Sequence, residues 1–394
     1  MSQRLHRRAI ARPLARLVAA FSAALLLVAQ AAQAGFDTRA TAAYVVDLNT
    51  GIVLLEKNAD VPLPPASMSK LMTLLMLFEA IEDGRIDIDT TFTVSTRARQ
   101  MGGSRMFVEE RHRPTAEDLI RGIAVLSGND ASVVVAEGLA GTEDAFARMA
   151  TERARALGMR DTTIANASGW PHPDHRMSMR DLAILASHII TEHPRYYPYL
   201  AEEAFTWNDI TQSNRVPLLT AGVGLDGLKT GFTSEAGYGL TGSARQAGRR
   251  IVFVISGLGS ERERAEEAER IMNWAFRQFV QRDIAAEGEV LASADVWMGD
   301  ARSVPLVAAQ DVRILVPAGA GDQVAAQAVW NGPLEAPLAH GQPVGELRVS
   351  VPGLPDVTVP LLAGADVAPG GFVVRMRTAA NVVLGQVLGR PAVF

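Results

Sequence analysis

The chain has 394 residues, 48% hydrophobic and 21% charged, a composition that excludes wholesale disorder and leaves room for two or three domains. Five of the 38 basic residues precede Gly35, where no acidic residue occurs, so the remainder carries a net charge of −10; such a body repels a polyphosphate, and no basic patch offsets it, which excludes nucleic acid as a partner. Cysteine is absent, which removes thiolate nucleophiles, Cys-ligated zinc or iron–sulfur centres and disulfide staples.

Residues 1–34 pair an Arg-rich start with the apolar run Leu17 to Ala29 and the small-residue site Ala32-Gln33-Ala34. The run is too short to cross a ~30 Å hydrocarbon layer, so the segment reads as a cleaved signal peptide and the mature protein as one that works outside the cytoplasm. Tyr44 to Leu55 predicts two strands around the turn Asn49-Thr50-Gly51. Helical patterns follow at Met68 to Ile81, Ala116 to Leu126, Ala131 to Leu139, Thr142 to Leu157 and Arg180 to Thr191. Gly237 to Ser243 and Ile251 to Leu258 predict paired antiparallel strands, and a helix starts in Glu261 to Arg270 and continues through Phe279. Strands, then helices, then strands and a helix define an α+β domain over residues 35–283.

Residues 284–371 change texture. Short β-rich runs such as Val312 to Val316, Gln323 to Val329, Gly345 to Pro352 and Val357 to Leu362 are punctuated by Pro and Gly, which predicts a small all-β domain. It carries no convergent acid, base or nucleophile set, so it reads as a spacer or docking module. In residues 372–394, Phe372, Val373, Met376, Ala380, Val383, Leu384 and Val387 repeat at helical spacing. That stripe fits an amphipathic helix lying on a membrane surface, and equally one docked on the β domain.

Three short motifs carry chemistry. Ser67-Met68-Ser69-Lys70 follows the breaker run Pro62-Leu63-Pro64-Pro65 and opens a helix apolar nearly all round. Ser67 and Lys70, three residues apart, share a helical face. A serine hydroxyl needs a base, and a lysine serves when burial or a nearby cation lowers its pKa. Ser127-Gly128-Asn129 interrupts an apolar stretch; its hydroxyl can pass a proton, and its amide can donate and accept at once. Lys229-Thr230-Gly231 offers a cation able to depress the Lys70 pKa, and Gly231 leaves room for a backbone ligand along a strand edge. Each motif alone has a bland reading as cap, turn or strand end; their conjunction in one chain does not.

The stretches Ala66 to Thr73, Ser127 to Ala131 and Asp226 to Gly231 resemble low-molecular-mass penicillin-binding proteins of the serine D-alanyl-D-alanine carboxypeptidase family. The resemblance implies the penicillin-recognising transpeptidase/β-lactamase-like fold, an antiparallel sheet flanked by helices, followed by a β-rich domain and a C-terminal anchor. It implies removal of the terminal D-Ala of peptidoglycan stem pentapeptides through an acyl-enzyme, with β-lactam antibiotics as inhibitors and no cofactor. Transferred residue by residue, Ser67 is the nucleophile, Lys70 the base, and Ser127 and Asn129 the proton shuttle and substrate-amide clamp. Lys229, Thr230 and Gly231 line the opposite wall, and Arg215 matches a carboxylate-binding arginine. The backbone N–H groups of Ser67 and Phe232 form the oxyanion hole, each donor worth roughly 3 to 4 kcal/mol. Many relatives carry His where this chain has Phe232.

A zinc reading of His172, His175, His188 and His193 lacks a regular helical ligand pair, and Pro171 to His175 reads as a surface loop, so no metal is expected. Trp170 and Trp207 read as packing residues. The alternatives are a DD-endopeptidase or serine β-lactamase on the same fold, the latter disfavoured because no general-base Glu motif is evident. A silent wall-binding protein is a third.

Overall fold

The computed structural model describes residues 36–319, 323–372 and 376. The leader, residues 1–34, lies outside them, as does the amphipathic tail apart from Phe372 and Met376, both exposed. Among the described residues no helix is long and apolar enough to cross a membrane.

Among the described residues, seven strands belong to the first part of the chain: β1 (Ala42–Asp47), β2 (Val53–Lys57), β3 (Ala204–Trp207), β4 (Ile210–Ser213), β5 (Leu225–Thr233), β6 (Gly237–Gln246) and β7 (Arg249–Leu258). Five of them form an antiparallel sheet in the order β2-β1-β7-β6-β5, which leaves β5 as an edge. In β7 the consecutive residues Ile251 to Ile255 are all inaccessible. Side chains alternate between faces, so an unbroken buried run means both faces are covered.

The helices are α1 (Lys70–Glu82), α2 (Thr96–Gln100), α3 (Ala116–Ala124), α4 (Asn129–Ala140), α5 (Glu143–Ala156), α6 (Met179–Glu192), α7 (Tyr197–Leu200) and α8 (Glu261–Gln278). Side-chain caps fix several starts: Thr142 accepts from the Ala145 N–H, Ser178 from Asp181 and Ser260 from Glu263. Thr142 is therefore a cap and not the first helical residue. Helix α1 is buried from Lys70 through Phe78 and contacts α3, α4, α5 and α6, so it forms the centre of the helical half, as a helix apolar nearly all round requires. Helices α6 and α8 pack on the sheet.

Helix α8 ends at Gln278, one residue short of the expected Phe279, which turns extended and opens β8 (Phe279–Ala285). Strand β8 pairs with β11 (Val312–Pro317). The remaining strands, β9 (Val290–Trp297), β10 (Ser303–Ala308), β12 (Ala325–Trp330), β13 (Leu334–Glu335), β14 (Pro343–Ser350) and β15 (Val357–Ala363), form a sheet ordered β12-β14-β15-β10-β9-β13. Alternate residues such as Val304, Leu306, Val349, Leu361 and Ala363 fill a second apolar core, which also takes in Ala285 from β8. The β-rich architecture thus begins at Phe279, ahead of the change in sequence texture at 284.

Candidate active site

Pro65 caps a 3₁₀ turn, Ala66–Ser69, that runs directly into α1. Ala66 sits at φ +49°, a strained region for a residue with a Cβ, and so does Ser127 at φ +58°. Ala66 precedes Ser67, and Ser127 is itself a residue that the motifs single out. The turn is pressed against β5: a Cβ on Gly231 would lie 2.9 Å from the Pro65 carbonyl oxygen and 3.2 Å from the Ala66 Cβ. The Cβ side of Gly231 is therefore filled by the turn carrying Ser67.

Lys70 is fully buried, and its Nζ lies 2.8 Å from Ser67 Oγ, 2.7 Å from Asn129 Oδ1 and 2.5 Å from the Ser168 carbonyl oxygen. Two of these partners can only accept. As an ammonium Nζ can donate to all three; as a neutral amine that keeps its two hydrogens on Asn129 and Ser168 it turns its lone pair to the Ser67 hydroxyl. Burial pushes the Lys70 pKa well below the ordinary lysine value, and the nearby Lys229 and Arg215 push it further. The electrostatics favour the uncharged amine, and the 2.8 Å approach places it to take the Ser67 proton.

Asn129 opens α4, and its backbone N–H bonds to the Ser104 carbonyl at 2.8 Å. Its amide is already engaged on both sides, Oδ1 with Lys70 and Nδ2 with the Gly102 carbonyl at 2.8 Å, so in this state it orients the base. Next to it, the buried Asp130 carboxylate accepts from the N–H groups of Met106, Phe107 and Val108, which fixes the strap that carries Ser104.

Ser67, Ser127, Arg215, Thr230, Gly231 and Phe232 line one cleft of about 190 Å³. Lys229, buried on β5, has its pKa lowered to about 7 by burial and then by Arg215 and Arg264. The Arg215 guanidinium donates to Ser104 Oγ. Phe232 is 54% exposed, with its ring 4.2 Å from that of Tyr238.

Several contributors escaped the sequence reading. The Ser168 carbonyl is a backbone group 98 residues from Lys70 and leaves no side-chain signal. Ser104 and Arg264 also line the cleft; Arg264 belongs to a charged helix whose pattern marks most of its arginines as solvated, yet it is 5% exposed.

The segment Pro171 to His175 is a surface loop only in part: His172 is exposed, whereas His175 is buried, as is the more distant His193. Among the described residues, Glu79, His188 and His193 form the one group spaced to hold a metal ion. Arg153 already pairs with Glu79 at 2.7 Å and lies 3.4 Å from His188 Nε2, so the group reads as an ion-pair network. Trp207 packs partly buried against the first core, but Trp170 is 46% exposed and is no packing residue.

Comparison with known proteins places this architecture. Residues 28–259 match the family of D-alanyl-D-alanine carboxypeptidases, peptidase S11, and residues 279–369 match the C-terminal domain of penicillin-binding protein 5. The chain is 31% identical to D-alanyl-D-alanine carboxypeptidase DacF of Bacillus subtilis, covering 85% of this chain and 87% of that one. It is 33% identical to DacC of Escherichia coli, covering 91% and 93%. The crystal structure of penicillin-binding protein 5 from Haemophilus influenzae superposes with a TM-score of 0.78 at 32% identity, covering 84% of this chain and 98% of that one. Penicillin-binding protein D2 of Listeria monocytogenes, solved in an ampicillin-bound form, matches with a TM-score of 0.57 at 29% identity, covering 62% of this chain and all of that one.

A mixed α+β domain with a serine held against a buried lysine, followed by an all-β domain, is the architecture of penicillin-binding protein 5. The chain belongs to the D-alanyl-D-alanine carboxypeptidase family and is a serine-type D-Ala-D-Ala carboxypeptidase.

Proposed function

We propose that Ser67 is the nucleophile and the neutral Lys70 amine its base, in removal of the terminal D-Ala from peptidoglycan stem pentapeptides. The observation that carries this reading is the buried Lys70 side chain, its pKa pushed well down and its Nζ 2.8 Å from Ser67 Oγ, held on its other sides by Asn129 and Ser168. Lys70 takes the hydroxyl proton as Oγ attacks the carbonyl carbon of the penultimate D-Ala. The N–H groups of Ser67 and Phe232 stabilise the oxyanion. The C–N bond breaks, Ser127 relays a proton to the departing amine of D-Ala, and water hydrolyses the ester. Arg215 and Lys229 attract the substrate carboxylate, and Thr230 and Gly231 wall the cleft. Asn129 holds Lys70 and, with its second amide hydrogen, can receive the substrate.

A β-lactam presents the same acyl carbon and acylates the same serine, as the ampicillin-bound relative supports. We place the enzyme in the periplasm, exported by residues 1–34 and attached to the outer face of the cytoplasmic membrane by residues 372–394, with residues 35–283 as its catalytic domain. Ser67→Ala is expected to abolish both D-Ala release and the covalent adduct with a fluorescent penicillin while the thermal melt stays intact; retained turnover would reject Ser67. D-Ala release from a pentapeptide, beside hydrolysis of a cross-linked dimer, separates carboxypeptidase from endopeptidase action.

A further inference from the structure

Lys70 is held from two sides, by Asn129 and by the Ser168 carbonyl, and both supports trace back to one carboxylate. Glu143 is the first residue of α5 and only 5% exposed, and a carboxylate withdrawn from water needs partners in its place. Its two oxygens serve different segments. Oε1 accepts from the Ala167 N–H at 3.0 Å, and Oε2 accepts from the Arg97 guanidinium on α2. The positive end of the α5 dipole favours a carboxylate at this position as well.

Each bond leads to one side of Lys70. Ala167 directly precedes Ser168, and it is fastened twice: Glu143 takes its N–H, and its carbonyl accepts from Thr73 Oγ1 at 2.7 Å. Thr73 stands one helical turn beyond Lys70 on α1. The Ser168 carbonyl, 2.5 Å from Lys70 Nζ, is therefore aimed from a residue clamped on both of its polar groups. Arg97 acts on the other side. Helix α2 ends at Gln100, and the Gly102 carbonyl just beyond it accepts from Asn129 Nδ2 at 2.8 Å, which turns Asn129 Oδ1 toward Lys70. Glu143 itself does not line the cleft.

We infer that Glu143 is a positioning residue for catalysis, its carboxylate fixing the loop 166–168 and α2 so that the Ser168 carbonyl and Asn129 together aim the Lys70 amine at Ser67. The inference rests on the reading of Ser67 as nucleophile and Lys70 as base. A carbonyl oxygen at Nζ stabilises the ammonium more than the neutral amine, so loosening it lowers the Lys70 pKa further and carries the acid limb of acylation to lower pH; a misaimed amine also slows the plateau rate. The groups whose charge acts on Lys70 are Lys229, Arg215 and Asp130, and the nearby His175 is neutral, its pKa lowered to about 3 by burial. Both Glu143 oxygens are engaged elsewhere, so its replacement leaves that set in place.

The test is stopped-flow acylation of the full chain by a chromogenic cephalosporin across pH, with the acylation constant and the dissociation constant of the noncovalent complex resolved separately. Glu143→Ala is expected to lower the plateau acylation constant about tenfold or more, to leave the dissociation constant within about twofold, and to move the acid limb down by about half a pH unit. Glu143→Gln, whose side-chain oxygen still accepts from the Ala167 N–H, is expected to restore the limb and most of the rate. Where the alanine variant does not fold, Glu143→Asp, which withdraws the carboxylate from Ala167 by one methylene, is expected to show the same downward shift. A limb that stays in place while only the melting temperature falls would leave Glu143 a purely structural part and overturn the inference. So would a glutamine variant as impaired as the alanine one. An unmodified protein that forms no adduct on Ser67 would instead bring down the Ser67–Lys70 reading and this inference with it.

Discussion

Removing a positive charge near a buried amine raises its pKa, and at Lys70 that sign is open to measurement. Burial is the largest cause of its depression, followed by Lys229 and then Arg215, with Asp130 opposing them. The reactive form is the neutral amine, so activity is lost as pH falls through the Lys70 pKa. Arg215→Gln removes one depressing charge and is expected to move the acid limb of the Ser67 acylation rate to higher pH, by roughly half a unit to one unit. The measurement is the pH profile of acylation by a chromogenic cephalosporin, which lacks the D-Ala leaving group; an unmoved or acid-shifted limb would refute Lys70 as the titrating base. The Ser67–Lys70 pair was legible in the sequence because one helical turn joins the two residues. Its supports were not, since the Ser168 carbonyl comes from a distant loop and the Gly102 carbonyl that engages Asn129 is likewise a backbone group.

At the scale of elements, the site is the meeting of a 3₁₀ turn with an edge strand. The β5 backbone approaches that turn so closely that Gly231 leaves no room for a methyl group between Pro65, Met68 and Ala66. Gly231→Ala is expected to force β5 from the turn, costing about 1 to 3 kcal/mol of stability and at least about tenfold in acylation rate. A thermal melt and stopped-flow acylation read the two effects; an unchanged acylation rate would show that the cleft tolerates the shift. The principal helices were legible from apolar periodicity, and their starts are sharpened by caps such as Ser178 and Ser260. The β3–β4 hairpin was not read, although Asn208 and Asp209, both at positive φ, are the residues its two-residue turn requires. Its strands are four residues long and mostly exposed, so no apolar alternation frames that turn signal.

Across the described residues, two apolar cores divide the chain, and the proposed catalytic groups all come from the part of the chain that builds the first. The change of texture near 284 announced the second domain, but β8 begins at Phe279 because Trp274, Ala275 and Phe279 fit a helical stripe until pairing with β11 claims the last of them. At this junction the buried Arg249 guanidinium pairs with Asp47 at 2.5 Å and donates to the carbonyls of Ala275 and Phe279. These bonds tie the end of α8 to the central strand from within the first part of the chain. A protein ending at Phe279 keeps every one of them, together with Ser67, Lys70, Ser127, Asn129 and Lys229. It is therefore expected to acylate with penicillin and release D-Ala from soluble peptide within about twofold of the full chain, because separate cores contribute additively when they share few contacts. Calorimetry of the full chain should then resolve two transitions, one of which the shortened protein lacks. A folded but inactive shortened protein would show that the β domain shapes the cleft, and a single cooperative transition in the full chain would show that the cores stabilise one another.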